Sequence, residues 1–367
     1  MDLLISKLHQ AALSLLSPAS IFSLPQLAAA FMIAFAYLAY RQMRRRNAVR
    51  PSAILRAMMS RRVLFNRSTY ADLFYYFVNT FAVGGLIGWG ILSGSMISDT
   101  IVRALLANFG ACAPSTAPEW ALRTGITLVA FLGYELGYYV DHYLKHKIPF
   151  LWEFHKIHHS AEVLTPLTVF RVHPIDTLIF INVVAIVAGA LHGIFTYVIG
   201  KNVNLYLISD TNIITVAFFF LLAHLQHSQF WIPLRGLAGR ILLSPAHHQI
   251  HHSIDPAHYD RNLGSFLAIW DWMFGTLSVP EKETPRLEFG ISPTGQDPHS
   301  ITALLIAPLA SAYDVLGLKP RSARNPAARS GTESGAGGST YSMRRAAEAP
   351  AGGPRTQFSS PSRPSSN

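Results

Sequence analysis

Several scarcities narrow what this chain can be. Cysteine occurs once in 367 residues, at Cys112. That excludes an intrachain disulfide and a thiolate cluster for structural zinc or an iron–sulfur centre. Charged residues make up 14% of the chain, against about 25% in soluble domains. Acidic residues are missing from 41–71, where nine arginines stand. Nor is there an H-E-x-x-H string of the zincin type, a glycine fingerprint for a dinucleotide, or a C-x-x-C-H haem attachment site.

What is abundant is apolar. Half of the residues are hydrophobic and the mean hydropathy is +0.27, which favours one polytopic membrane domain over two soluble ones. The net charge of +10 is concentrated at 41–71 and at 319–367. No stacking aromatics interleave with these arginines, so a nucleic-acid partner is not expected. Basic charge beside a hydrophobic run is instead a topology signal. The first apolar run, Phe22 to Tyr40, is long enough for roughly 30 Å of hydrocarbon, and the "RQMRRR" after it should stay cytoplasmic. Further spans are expected at about Leu73–Ile97, Thr124–Val140, Leu178–Ile199 and Ile213–Leu225, with an outer loop at 98–118 and small residues at "GGLIGWG" (84–90) for close helix contact. Counting sides from the arginine loop brings the chain back to the cytoplasm near Asp141 and again near His224.

Histidine is the other abundance. Fourteen of sixteen lie between 142 and 258. "DHYLKH" sets His142 and His146 at i and i+4, one face of a helix. "FHKIHH" sets His155, His158 and His159 at i, i+3 and i+4. "HLQH" pairs His224 with His227, and "HQIHH" repeats the triplet with His248, His251 and His252. An isolated pair of this kind is usually surface decoration. Ten imidazoles in four groups on one predicted membrane face point to metal, and exceed the four ligands of one zinc. Imidazole suits iron, zinc, copper and nickel alike. A non-catalytic zinc-binding or zinc-transport protein is an alternative, although transport predicts ligands within the spans.

The strings "YELGYYVDHYLKHKIPFLWEFHKIHHSAEVLTPLTVFRVHP" and "LSPAHHQIHHSIDPAHYDRNLGSFLAIWDWMFGTL" resemble the fatty acid hydroxylase / sterol desaturase superfamily over about residues 120–280. The resemblance implies a membrane-bound enzyme with two iron ions, zinc being a possible substitute, that uses O2 and external electrons to hydroxylate or desaturate a lipid. It implies metal ligands at His142 and His146, at His155, His158 and His159, and at His248, His251 and His252. His224 and His227 match the histidine region where members differ most. Tyr143 departs from the arginine many members carry there, which bears on substrate or lipid contacts. With no nucleotide or haem motif of its own, the chain should take electrons from a separate donor protein.

Six further residues are expected to support those ligands: Glu135, ionisable within a span; His173 in "RVHPID", with a hydrogen bond to Asp176 as its structural alternative; His247; and Asp260, Asn262 and Asp271, able to orient imidazoles. The expected architecture is an all-α polytopic membrane bundle with a cytoplasmic helical cap carrying a dimetal site. Its segments are an amphipathic 1–21, the first two spans with the basic loop at 22–118, a catalytic domain at 119–285, an interfacial segment at 286–318 and a disordered basic tail at 319–367.

Overall fold

Helix boundaries follow ordinary capping chemistry. In a computed structural model of the chain, which describes residues 9, 13, 15–83, 92–291 and 297–317, α1 (Leu24–Arg46) begins with proline in its first turn. It ends on Arg44, Arg45 and Arg46, with Asn47 closing it at φ 48°. Cations there oppose the negative end of the helix dipole. Next come α2 (Pro51–Met58), the single turn α3 (Arg61–Leu64) and α4 (Arg67–Phe77), the last capped by the Asn66 side chain and prolonged by a π-helical turn to Val83.

The centre is a set of long helices. They are α5 (Gly94–Phe109), α6 (Glu119–Lys147), α7 (Pro149–His159), α8 (Pro174–Ile199) and α9 (Ile213–Gln226, with a π-helical turn at Phe219–Ala223). The short helices α10 (Gly236–Ile241), α11 (Pro245–His251) and α12 (Ile269–Phe274) follow, then α13 (Ala307–Val315). Among the described residues, α1 and α8 are long and apolar enough to cross a bilayer. At 29 residues α6 is longer, but Glu135 and its tyrosines make it less apolar. α6 and α8 pack against each other closely: a Cβ on Gly133 would stand 2.9 Å from Ala188 Cα.

Three expectations change. The run 73–97 is not one continuous helix, since Leu92 and Ser93 are non-helical and α5 starts at Gly94 behind an extended Ser93; residues 84–91, including "GGLIGWG", lie outside the described residues. The outer loop expected at 98–118 is largely the helix α5. Its Ile97 and Ile101, one turn apart, pack over Gly189 and Gly193 of α8, an apolar spacing that the low charge of the segment disguised. The run 213–225 is helical, yet α9 rises only about 21 Å, short of the hydrocarbon thickness.

The all-helical expectation also needs one amendment. β1 (Leu207–Ile208) and β2 (Thr211–Asn212) form a hairpin. Ser209 and Asp210 sit at φ 44° and 62°, the two left-handed positions of a type I′ turn. The tail at 319–367 and most of 1–21 lie outside the described residues.

Candidate metal centre

The second half of α6 carries His142 and His146, and the turn at Ile148 sends α7 back with His155, His158 and His159. His227 ends α9, while α11 and its last cap bring His248, His251 and His252. All nine of these side chains are buried. They sort into two groups, each with ligand atoms within 4.8 Å of one another. One holds His142, His146, His155, His159 and His251; the other holds His158, His227, His248 and His252.

The sorting explains the repeated triplet. In 155–159 the outer histidines join the first group and His158 joins the second; in 248–252 the outer pair joins the second and His251 crosses to the first. Each triplet therefore serves both groups. His159 and His251 rings meet at 4.6 Å, as do those of His158 and His252.

The chemistry of the donor set fits a metal. In the first group the Nε2 atoms of His142, His146, His155, His159 and His251 are buried without a protein hydrogen-bond partner. Four of the five rings are held from behind. Nδ1 of His142 donates to Leu263 O at 2.7 Å and Nδ1 of His251 to Arg261 O at 3.0 Å. A carbonyl only accepts, so the proton sits on Nδ1 and the Nε2 lone pair points inward. Nδ1 of His155 lies 3.0 Å from Asp176 Oδ2, and that of His146 lies 3.4 Å from Asp260 Oδ1.

In the second group Nε2 meets Nε2. His227 stands 3.2 Å from His158 and 2.8 Å from His248, and His248 stands 3.1 Å from His252. Nitrogens about 2.1 Å from one ion, the length of a metal–imidazole bond, are about 3 Å apart when cis. Burial holds these rings neutral: His146 is pushed down to about 4 and His227 to about 3, and His142, His158, His159, His248, His251 and His252 fall well below the usual histidine value. Neutral imidazole is the ligating form.

Other expected residues fall elsewhere. His224 is buried edge-on against Phe22 at 5.8 Å and belongs to neither group. Glu135 does not face an imidazole; its Oε2 accepts from Phe266 N and Leu267 N at 3.1 and 2.8 Å. His173 caps α8, accepting from Ile175 N, while its Nε2 meets Leu305 O at 3.2 Å rather than the Asp176 carboxylate. His247 closes the first turn of α11 through Ser244 and reaches Gly239 O at 3.0 Å.

Asn262 ties His247 O to Ser278 through three hydrogen bonds. Asp271 accepts from Leu263 N, Gly264 N and Thr276 Oγ1, so it reaches His142 only through the loop that carries Leu263 O. Of the six, Asp260 alone approaches a grouped ring, that of His146, with Lys147 on its other oxygen at 2.5 Å.

Two further residues matter here, Asp176, which the sequence had tied to His173, and Lys145, which sequence reasoning passed over. Asp176 orients His155, and the buried Lys145 binds both Asp176 and Asp141. Lys145 stands four residues after Asp141, a spacing that was available as a signal. A second buried pair, Arg171 with Asp72, fastens α4 to the end of α7, because Arg171 also donates to Ile157 O and Ser160 Oγ.

A buried, all-imidazole double cluster beside two long apolar helices is an arrangement that could hold metal ions. Over residues 127–276 the chain matches the family model described as fatty acid hydroxylase. It is 31% identical over 172 residues to alkylglycerol monooxygenase of Danio rerio, covering 45% of this chain and 32% of the relative. It is 30% identical over 205 residues to ornithine lipid hydroxylase OlsE of Rhizobium tropici, covering 55% and 56%. Cholesterol 25-hydroxylase of Homo sapiens is 26% identical over 182 residues, covering 48% and 61%. The chain thus spans between a third and three-fifths of these relatives. No solved structure matches it.

Proposed function

We propose that this chain is an integral membrane monooxygenase that hydroxylates a lipid, using O2 and two electrons from a separate donor protein. The observation that carries the reading is the convergence of nine buried, neutral imidazoles into two adjacent groups. Two iron ions held by these groups would supply the activation of O2 needed to attack an unactivated C–H bond. The protein's part is geometric. Leu263 O, Arg261 O, Asp176 and Asp260 fix ring orientation, and the surrounding burial excludes water.

Three relatives named for hydroxylation or monooxygenation of lipids support oxygen insertion over desaturation. In this reading α1, α6 and α8 cross the bilayer, α4 and α5 between them carry the chain to the far side ahead of α6, α9 returns it toward the histidine face, and the arginine-rich 41–71 segment keeps that face cytoplasmic. Purified protein should contain two irons per chain and consume O2 with a reductant and lipid present. Stoichiometric zinc without O2 consumption contradicts the proposal.

A further inference from the structure

The segment after the last histidine triplet reads "LGSFLAIWDWMFGT" over 263–276 and contains one ionisable residue, Asp271. Its depth can be read against α6. Leu263 O is level with His142, whose Nδ1 it accepts. Phe266 N and Leu267 N are level with Glu135, seven positions earlier on the helix, which is about 10 Å along its axis. The Phe266 ring stacks at 5.1 Å on Phe218, which stacks at 5.4 Å on Phe131, a further turn down α6. The chain then climbs again: Phe274 stacks on Tyr139 at 5.2 Å, and Thr276 Oγ1 lies 3.1 Å from the Tyr139 hydroxyl. The path is a descent and a return beside α6.

Non-helical backbone at membrane depth is tolerated only where its polar groups are satisfied by protein. That condition is met along the descent. Asp271 takes Leu263 N and Gly264 N, and Glu135 takes two donors at the bottom, Phe266 N and Leu267 N. Gln226 donates to Ser265 O at 2.6 Å and Leu243 N to Phe266 O at 2.8 Å. With these backbone groups paired, the element leaves Trp272, Met273 and Phe274 exposed by 56%, 67% and 56%. Arg235 and Arg240 lie exposed on the adjoining α10, whose Ile241 O accepts from Ala268 N. Aromatic residues edged by arginine suit the boundary between acyl chains and headgroups.

We propose that 263–276 is a re-entrant element that enters the hydrocarbon layer beside α6 and sets Trp272, Met273 and Phe274 among the acyl chains of the leaflet nearest the histidine groups. Glu135, the ionisable group inside the span, serves as the acceptor that makes this turn tolerable there. The inference rests on α6 crossing the membrane, as proposed above.

A single cysteine at Met273→Cys, in a Cys112→Ser background, is to be spin-labelled in the full-length protein in phospholipid nanodiscs. Collision with O2, which partitions into lipid, is compared with collision with a water-soluble nickel chelate. Leu128→Cys, exposed midway along α6, and Arg286→Cys, highly exposed in the extramembrane region, are the references. The label at 273 is expected to match that at 128, with O2 access exceeding nickel access, and to oppose that at 286. Lipid exposure at 128 with water exposure at 273 overturns this inference alone. Water exposure at 128 removes the spanning of α6 and this inference with it. Shielding of 273 from both reagents means that a protein surface covers the patch, which also overturns it.

Discussion

Nδ1 of His155 lies 3.0 Å from Oδ2 of Asp176, and Lys145 holds the same carboxylate from its other side. Lys145 is itself anchored on Asp141 at 2.6 Å. One ring of the five-imidazole group is therefore oriented through a buried ion pair. Removing an orienting carboxylate typically costs about 10–100-fold in metal affinity. Asp176→Ala should lose metal by that factor in competition with a chelator, and unchanged affinity would show that the contact orients nothing of consequence.

The crossing of the two triplets gives neighbouring histidines unequal weight. His158→Ala leaves three imidazoles in the four-membered group, whereas His159→Ala leaves four in the five-membered one. Metal analysis should find the greater loss of occupancy in His158→Ala. His224→Ala should retain the metal stoichiometry of the parent, because His224 belongs to neither group. Loss of a full equivalent on that substitution would place His224 among the ligands after all.

Glu135 offers a contrast between two substitutions. Glu135→Gln keeps an oxygen that can accept from Phe266 N and Leu267 N, while Glu135→Leu strands both. A buried donor left unpaired costs about 1–3 kcal/mol. Thermal unfolding in detergent should therefore drop markedly for the leucine variant and little for the glutamine one, with metal content preserved in the latter. Metal loss in Glu135→Gln at unchanged stability would instead tie this carboxylate to the metals.

His173 confers a pH dependence on α8. Burial lowers its pKa below the ordinary histidine value, and its Nδ1 accepts from Ile175 N as the helix cap. In the unfolded chain the ring takes up a proton near pH 6.5, while the folded ring resists until lower pH. Below about pH 6.5 the unfolded state thus binds more protons, so stability falls as pH falls. His173→Asn retains a capping oxygen without the titration, and its melting temperature should decline less between pH 7 and pH 5 than the parent's. Parallel declines would mean that the cap does not titrate.

The histidine spacing carried much of the candidate site in the sequence, because i, i+3 and i+4 positions share a helix face whatever the fold. It did not carry the partition into two groups, which depends on α7 and α11 approaching so that His158 and His251 each cross over. The composition of span-like runs identified α1 and α8. It misjudged α5, where sparse charge looked like an outer loop although Ile97 and Ile101 pack on α8 glycines. Glu135 was noticed for its cost in a membrane, but its partners are backbone N–H groups more than 130 residues away in sequence. No local pattern encodes such a contact. Asp176 was similarly assigned to its sequence neighbour His173, because its true partner His155 comes from another helix.

The most direct test of the central claim is mass spectrometry of membrane lipids from cells supplied with isotopically heavy O2. Cells making the intact protein should contain a lipid carrying one heavy oxygen atom, and that species should vanish in cells making equal amounts of the His158→Ala variant. A heavy-oxygen lipid that persists in the variant, or a lipid profile the same with and without the intact protein, would contradict a lipid monooxygenase built on these histidines.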